Sequence, residues 1–228
     1  MTINLNEIYN KLLKQYNHQG WWPLTDIEGN NPTKTGSIKG YHPKDYSFPK
    51  NKKQEFEICL GCILTQNTSW VNVEKAILNL RNNNLLDDNK ILLEKEDKIK
   101  DLIKPAGFFN QKYNYIINFI KIYRELKTKP TREELLKIKG IGRETADSML
   151  LFAFKIKTFV VDSYTKRILK NLNLIKEDMS YEEIKNIIES NFKGSVNEYQ
   201  EFHALLVEHA KHFYQKKEDY KKDFLLEV

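Results

Sequence analysis

Two glycines that separate two helical patterns are the first residues whose spacing could serve chemistry. The segment LLKIKGIGRETADSMLL, residues 135–151, reads as a helix, a tight turn with Gly140 and Gly142, and a second helix. Glycine can adopt positive φ, and without side chains the backbone amides at the start of the second helix stay uncovered. Those amides and the helix dipole form an anion site that can bind a phosphate group.

Positive charge surrounds this turn, because Lys137, Lys139 and Arg143 lie close to the glycines in sequence. The alternative is an ordinary connection between two helices, in which a glycine only ends the first helix. A Gly-x-Gly pair by itself does not separate the two interpretations.

The carboxylate of Asp162 follows the second helix of this motif in sequence. The apolar run Phe159-Val160-Val161 ends in Asp162, which precedes the helical pattern SYTKRIL and lies eighteen residues after Glu144. Aspartate is a favoured N-cap, so Asp162 can cap this helix. A carboxylate can also stabilise positive charge that develops on a reacting substrate. The two roles are compatible.

Composition fits a globular chain with an anionic partner. The 228 residues are 40% apolar and 30% charged, with a net charge of +6 and a pI near 9.0. Basic charge favours a polyanion, although many basic proteins bind no nucleic acid. No segment approaches the roughly 18 apolar residues of a membrane span, and the N-terminus lacks a signal core. We expect a protein of the prokaryotic cytosol, without membrane contact.

The two cysteines form a CxxC spacing inside the apolar helical run FEICLGCIL. A metal or redox site would need a second pair or a nearby turn. Cys59 and Cys62 are therefore predicted to be buried free thiols.

Helical periodicity dominates the chain and predicts an all-α fold. Thr131 and Glu134 form a capping box that announces a helix start. Residues 29–53 differ, because three prolines and three glycines stand among many lysines. We interpret them as a mostly irregular connection after a short N-terminal helix, where Lys34, Lys39 and Lys44 are candidate DNA contacts. Further helices are predicted at about 111–126, 181–192 and 198–216.

Taken together, IKGIGRETA and FVVDSYTKRIL resemble the helix-hairpin-helix DNA glycosylase superfamily, which contains endonuclease III. Its pattern is a Gly-hydrophobic-Gly hairpin, an alanine-bearing helix and a catalytic aspartate at the head of the next helix. LGCILTQNTSWVNVEKAI resembles its helix-loop-helix with a DNA-inserting glutamine, and IKPAGFFNQKYNYIINF resembles its GxxNxKAxxI helix start. The similarity spans about residues 54–215, with the motifs in family order.

This resemblance implies two helical lobes with the reacting base in an interlobe cleft. Residues 47–156 would form the six-helix lobe with the helix-hairpin-helix motif, and residues 1–46 and 157–228 the second lobe. The implied partner of this monomer is double-stranded DNA containing damaged bases. Gln66 would fill the gap left by the extruded nucleotide, and Asn67 would help to hold the opposite strand. The alternative is that the two side-chain amides only cap the loop. The predicted hairpin contacts are Lys139, Gly140, Gly142, Arg143 and Thr145.

The resemblance also implies that Asp162 is catalytic. Breaking an N-glycosidic bond develops positive charge on the sugar, which a carboxylate stabilises, and the same group can deprotonate the attacking water. Bifunctional relatives attack with a lysine amine, but Glu144 occupies that position here. We expect a monofunctional glycosylase that leaves an abasic site. Whether Glu144 takes part in the chemistry or is a solvated helix residue stays open.

The chain lacks this lysine and carries the segment WWP near its N-terminus. In both features it resembles the 3-methyladenine DNA glycosylase III group. Alkylated purines are cationic, and cation–π contact with electron-rich rings contributes about 0.5–2 kcal/mol. The alternatives are that the tryptophans only pack the core and that Lys211 is a solvated lysine. The predicted base pocket comprises Trp21, Trp22, Pro23, Trp70 and Lys211.

No cysteine follows residue 62, so the iron–sulfur cluster of many relatives is expected to be absent. The pair His209 and His212 offers too few ligands for a metal, and we expect no metal and no cofactor. Two other functions remain as alternatives: a glycosylase for another damaged or mismatched base, and a non-catalytic DNA-binding hairpin protein.

Overall fold

The computed structural model describes residues 4–33, 39–216 and 219–227, which form eleven α-helices and no β-strand. The all-α prediction is therefore confirmed. Short 3-10 turns lie at Lys104–Ala106, Asp219–Lys222 and Phe224–Glu227. The helices are α1 Leu5–Tyr16, α2 Lys52–Leu64, α3 Trp70–Asn82, α4 Asp88–Leu93, α5 Glu96–Ile103, α6 Phe109–Tyr123, α7 Arg132–Leu136, α8 Arg143–Ser148, α9 Ser163–Asn171, α10 Tyr181–Asn191 and α11 Val196–Phe213.

The helices form two groups. Helices α2, α3, α5, α6, α7 and α8 pack on one another, whereas α1 and α9 to α11 form a second group around the long helix α11. A π-helical turn, Met149–Ala153, continues α8 and contacts both α2 and α11. This turn joins the two lobes of the fold. The boundaries at residues 47 and 156 stay a prediction.

Helix starts follow the capping rules that the sequence shows. The predicted capping box of Thr131 and Glu134 is present at the start of α7, with both reciprocal hydrogen bonds. Matching boxes start α10 at Ser180 and α11 at Ser195. Each box satisfies two backbone donors that the helix itself leaves unpaired.

The segment predicted to be irregular contains no helix before α2 among its described residues, but it is not a loose connection. Its backbone pairs with the chain that follows α1: the Leu24 amide donates to Gly40, and the Tyr41 amide donates to Gly29. A Cβ on Gly29 would lie 1.8 Å from the Tyr41 carbonyl oxygen, so this close approach requires glycine. Lys34 lies outside the described residues.

The same segment fixes the predicted pocket tryptophans. The His42 ring makes hydrogen bonds to the Trp22 carbonyl oxygen at 2.9 Å and to the Asp45 carbonyl oxygen at 2.8 Å. Trp22 is consequently held by its backbone as well as by its buried ring.

Helix α2 lies at the centre of its lobe and is buried on nearly all sides. Cys59 and Cys62 are free thiols in this helix, and both are fully buried, as predicted. Burial raises the pKa of both thiols, which keeps them protonated and unreactive. No helix in the described part of the chain has the length and apolarity needed to span a bilayer.

Candidate active site

Asp162 stands at the N-terminus of α9 and caps it. Its Oδ1 atom accepts a hydrogen bond from the Thr165 amide at 2.7 Å, and the side chain is half-buried. The cap orients the carboxyl group and engages one of its two oxygens. The capping interpretation is therefore right, and it leaves Oδ2 available for a second task.

Glu144, in the first turn of α8, lies within electrostatic range of Asp162. Loss of solvent around its carboxyl group raises its pKa from 4.5 to about 7, the negative charge of Asp162 contributes in the same direction, and Lys166 opposes them. The residue as a whole is exposed, so this loss of solvent concerns its carboxyl group alone. The carboxyl groups of Glu144 and Asp162 are therefore close enough in the candidate site for their charges to interact.

His203, on α11, lies within electrostatic range of Asp162 and was missed by the sequence analysis. It is 5% exposed, its ring packs against Trp21, Phe152 and Phe159, and its Nδ1 atom has no hydrogen-bond partner among the described residues. Burial lowers its pKa, and both the Asp162 charge and a hydrogen bond to the Val160 backbone oppose that shift. A neutral imidazole therefore lies behind the carboxylate.

Aromatic rings continue from His203 toward α3. The Trp21 ring lies 5.9 Å from that of Trp22, which lies 5.2 Å from that of Trp70, and all these contacts are edge-to-face. Phe152, from the π-helical turn, touches both Trp21 and Trp22. Trp22 is 6% exposed, whereas Trp21 and Trp70 are half-buried. Trp22 is thus a core residue, whereas the half-buried Trp21 ring packs against His203.

Pro23 and Trp70 line a cavity of about 470 Å³ on the far side of Trp22. Among the described residues its walls include Glu57 and Glu74 but not Asp162, so this cavity is separate from the Asp162 carboxylate. Lys211 forms an ion pair with buried Glu208, one turn earlier on α11, at 2.9 Å. A contact between Lys211 and a base stays a prediction.

The hairpin turn uses its two glycines differently. Gly140 has a φ of 103°, and a Cβ there would lie 2.0 Å from the Tyr115 ring, so both conformation and packing require glycine. Gly142 has a φ of −88° and caps α8, with open space where a Cβ would be. The expectation of positive φ applies to Gly140 only. At Gly142 the missing side chain leaves the first amides of α8 accessible.

Gln66 lies against this hairpin. Its side-chain amide donates to the Gly140 carbonyl oxygen and to the Thr145 hydroxyl, both at 3.0 Å. Thr145 is buried, so any DNA contact it makes would use its backbone amide. Neighbouring Asn67 is exposed in a left-handed conformation with a φ of 53°.

A buried ion pair anchors the hairpin to the second lobe. Asp147, fully buried in α8, accepts two hydrogen bonds from Arg132 at 2.7 and 3.0 Å and one from the Tyr181 hydroxyl at 2.8 Å. Arg132 also binds Glu182 of α10, and Arg143 lies 3.4 Å from the same carboxylate. Lys139 and Arg143 remain exposed beside the turn.

Phe108 is a second feature that the sequence analysis missed. It is 65% exposed and adopts a left-handed conformation, with a φ of 47°, between the Lys104–Ala106 turn and α6. A phenylalanine rarely adopts this conformation, and its exposed ring gains no stability from burial in the free protein. Such a strained, exposed aromatic residue fits a contact with another molecule.

The comparisons with known proteins agree on one family. Residues 60–193 match the profile described as HhH-GPD superfamily base excision DNA repair protein. The chain belongs to this superfamily. A Methanocaldococcus jannaschii protein named "Putative DNA repair glycosylase" is 43% identical over 223 residues, which cover 92% of this chain and 89% of that protein. Endonuclease III of Thermotoga maritima is 30% identical over 158 residues, covering 66% of this chain and 74% of that one.

Solved structures give the same fold for this HhH-GPD glycosylase. The H. pylori 3-methyladenine DNA glycosylase bound to 1,N6-ethenoadenine has a TM-score of 0.69 and 27% identity, covering 92% of this chain and 98% of that one. A trapped endonuclease III–DNA covalent intermediate has a TM-score of 0.75, covering 100% and 96% of the two chains, at 15% identity. The second likeness establishes the fold alone, and the predicted two-lobed, endonuclease III-like architecture is confirmed.

The glycosylase thus brings Asp162 within electrostatic range of Glu144 and His203. The His203 ring packs against half-buried Trp21, and Gln66 binds the hairpin. Lys211 stands apart from this group in its ion pair with Glu208. No group of three or more possible metal ligands occurs within residues 4–33, 39–216 and 219–227.

Proposed function

We propose that this glycosylase is a monomeric, monofunctional enzyme that hydrolyses the N-glycosidic bond of alkylated purines such as 3-methyladenine in double-stranded DNA. The observation that carries the proposal is the Asp162 carboxylate, fixed at the head of α9. Its charge acts on Glu144, in the first turn after the hairpin, and on His203, whose ring packs against Trp21. A glycosylase needs this combination of a charge for the sugar, a surface for the base and a site for the phosphate.

DNA would dock on the hairpin through the first amides of α8. Gly142 leaves these amides accessible, and the exposed side chains of Lys139 and Arg143 add positive charge for the strand. These contacts involve the phosphate backbone, so they position the duplex without reading its sequence. Base selection is left to the cleft.

The damaged nucleotide would then leave the stack. Gln66 and exposed Phe108 stand on the two loops that could fill the space it leaves, and the extrusion costs a few kcal/mol, least for a damaged base. A cationic purine would lie against Trp21, whose ring attracts it by about 0.5–2 kcal/mol.

The bond breaks as positive charge develops on the sugar. The free oxygen of Asp162 stabilises that charge and takes the proton from the attacking water, while the charged base leaves without needing a strong acid. His203, kept neutral by burial, adds no opposing positive charge next to the carboxylate.

Strand cleavage requires an amine nucleophile in the cleft, and Glu144 stands where related enzymes carry a lysine. A carboxylate forms no Schiff base, so the product would be an intact abasic site. Borohydride should trap no covalent adduct between the wild-type protein and DNA, whereas Glu144→Lys should become trappable. A wild-type adduct would show that another lysine, such as Lys166, serves as nucleophile.

The deciding experiment incubates purified protein with methylated DNA and identifies the released bases. The wild type should release 3-methyladenine, and Asp162→Asn should release it at least about a hundredfold more slowly. Asparagine is an equally good N-cap, so this variant stays folded and isolates the charge. Release of a different base from a panel of damaged duplexes would overturn the substrate assignment, and release of none would overturn the enzymatic function.

A further inference from the structure

Lys112, at the start of α6, is a buried lysine whose hydrogen bonds go to backbone carbonyls. It is 2% exposed, and its ammonium group donates to the Leu64 oxygen at 2.7 Å and the Ala106 oxygen at 2.8 Å. Burial lowers its pKa from 10.5 to about 8. A buried ammonium is costly unless its donors are used, so these two bonds have a structural purpose.

Both carbonyls occupy equivalent places in the two DNA-facing loops. Leu64 is the last residue of α2 and precedes Gln66 by two residues, and Ala106 ends its 3-10 turn and precedes Phe108 by two residues. A single nitrogen atom therefore holds the base of each loop, although the loops are far apart in sequence.

We propose that Lys112 is a positioning residue that couples these loops, so that Gln66 and Phe108 enter the duplex as one rigid unit. This inference rests on the proposed function, because it assigns Lys112 to base extrusion rather than to bond cleavage. In the described structure, none of the hydrogen bonds made by Lys112 joins it to Asp162, Glu144 or His203.

Without the ammonium group each loop would lose its anchor and the two side chains would have to be ordered separately. That ordering costs conformational entropy at the moment when unstacking has to be offset. A lesion that has no opposite base to pair with costs less to extrude and needs less of this contribution. The coupling therefore predicts that loss of the Lys112 ammonium slows base release more from a paired lesion than from an unpaired one.

The test compares Lys112→Met with the wild type in single-turnover assays on two duplexes. In one, a single 3-methyladenine pairs with thymine; in the other, it lies opposite a tetrahydrofuran spacer. We expect Lys112→Met to slow release from the paired duplex by about tenfold or more and from the spacer duplex by less than about threefold. The matched control is Lys104→Met, which removes an exposed charge from the same turn and should slow neither by more than about threefold.

The ratio of the two rates is measured within one protein sample, so a partly unfolded variant still gives a valid answer. If Lys112→Met does not fold, Lys112→Gln, which keeps a shorter donor, should show the same dependence on pairing. Equal slowing on both duplexes, or no slowing on the paired one, overturns the coupling role. Release from neither duplex by the wild type overturns the proposed function, and this inference with it.

Discussion

The Gln66 side-chain amide donates a hydrogen bond to the Gly140 carbonyl oxygen at 3.0 Å, so the glutamine predicted to enter the DNA stack is tied to the hairpin predicted to bind the strand. The same nitrogen binds the Thr145 hydroxyl. To fill a gap in the duplex, Gln66 has to exchange these two bonds for contacts with DNA. The hydrogen bonds to the hairpin and the insertion into the duplex therefore compete for the same side chain.

Gln66→Ala should weaken both the fold and extrusion. Losing its two part-buried hydrogen bonds should lower the free energy of unfolding by about 1 kcal/mol, the usual net contribution of such bonds. The rate of base release from a paired duplex should fall by about tenfold, since nothing fills the gap. Chemical denaturation and single-turnover kinetics measure the two effects. A wild-type rate on paired DNA would remove Gln66 from the extrusion step.

Phe108→Asn should slow base release without destabilising the protein. Asparagine adopts the left-handed conformation of this position more readily than phenylalanine, and the exposed ring stabilises little in the free protein. The thermal midpoint should stay equal or rise, while release from a paired lesion slows. Leu93→Asn, which removes another highly exposed apolar side chain, is the control and should leave the rate unchanged. A rate for Phe108→Asn equal to that control contradicts the insertion role.

Local signals in the sequence predicted the local parts of this fold. The capping box of Thr131, the hairpin glycine Gly140 and the helix start at Asp162 each depend on residues within one or two turns, so spacing alone located them. The π-helical turn at Met149–Ala153 was not predictable, because all of its residues are buried and the apolar pattern is the same for an α-helix.

Long-range contacts were beyond the sequence. His203 reads as a core residue in an apolar helix, and only the folding of α11 against the segment before Asp162 brings it to the site. The two tryptophans look alike in sequence, yet the His42 bond to the Trp22 backbone assigns one ring to the core and leaves the other half-open. Such assignments depend on the three-dimensional packing of several elements.

Trp21 and Trp22 should respond differently to truncation. Trp22→Ala should lower the free energy of unfolding by about 3–5 kcal/mol, because it empties a packed space between Trp70 and Phe152. Trp21→Ala should cost less stability and raise the KM for a cationic base more than for a neutral one. Urea denaturation and steady-state kinetics on the two substrates check this pair. Equal KM changes for both bases would argue against cation–π selection.

Asp147→Asn should destabilise the hairpin strongly. The carboxylate is fully buried, and neutralising it leaves the Arg132 guanidinium without its closest counter-charge, at a cost of about 3–5 kcal/mol. Glu182→Gln removes the second, 39% exposed carboxylate from the same arginine and should cost less than about 1 kcal/mol. Urea midpoints measure both. Similar losses for the two variants would show that burial does not decide the strength of this pair.

Glu144→Gln should stabilise the protein at alkaline pH and leave it unchanged in acid. Folding raises the Glu144 pKa from 4.5 to about 7 through loss of solvent and the nearby charge of Asp162, so the folded state binds more protons between these values. Stability therefore falls as pH rises through this window, and the cost is complete above about pH 7. Because the residue is exposed as a whole, we expect a gain of only about 1 kcal/mol for Glu144→Gln at pH 8.

Urea unfolding of the wild type and Glu144→Gln at pH 4.5, 6 and 8 checks the sign of this effect. The two curves should coincide at pH 4.5, where the wild-type carboxyl is largely protonated in the folded state, and separate progressively toward pH 8. A constant difference at all three values would mean that the substitution acts through packing. If Glu144→Gln were less stable than the wild type at pH 8, the attraction by Lys166 would outweigh both the repulsion by Asp162 and the loss of solvent.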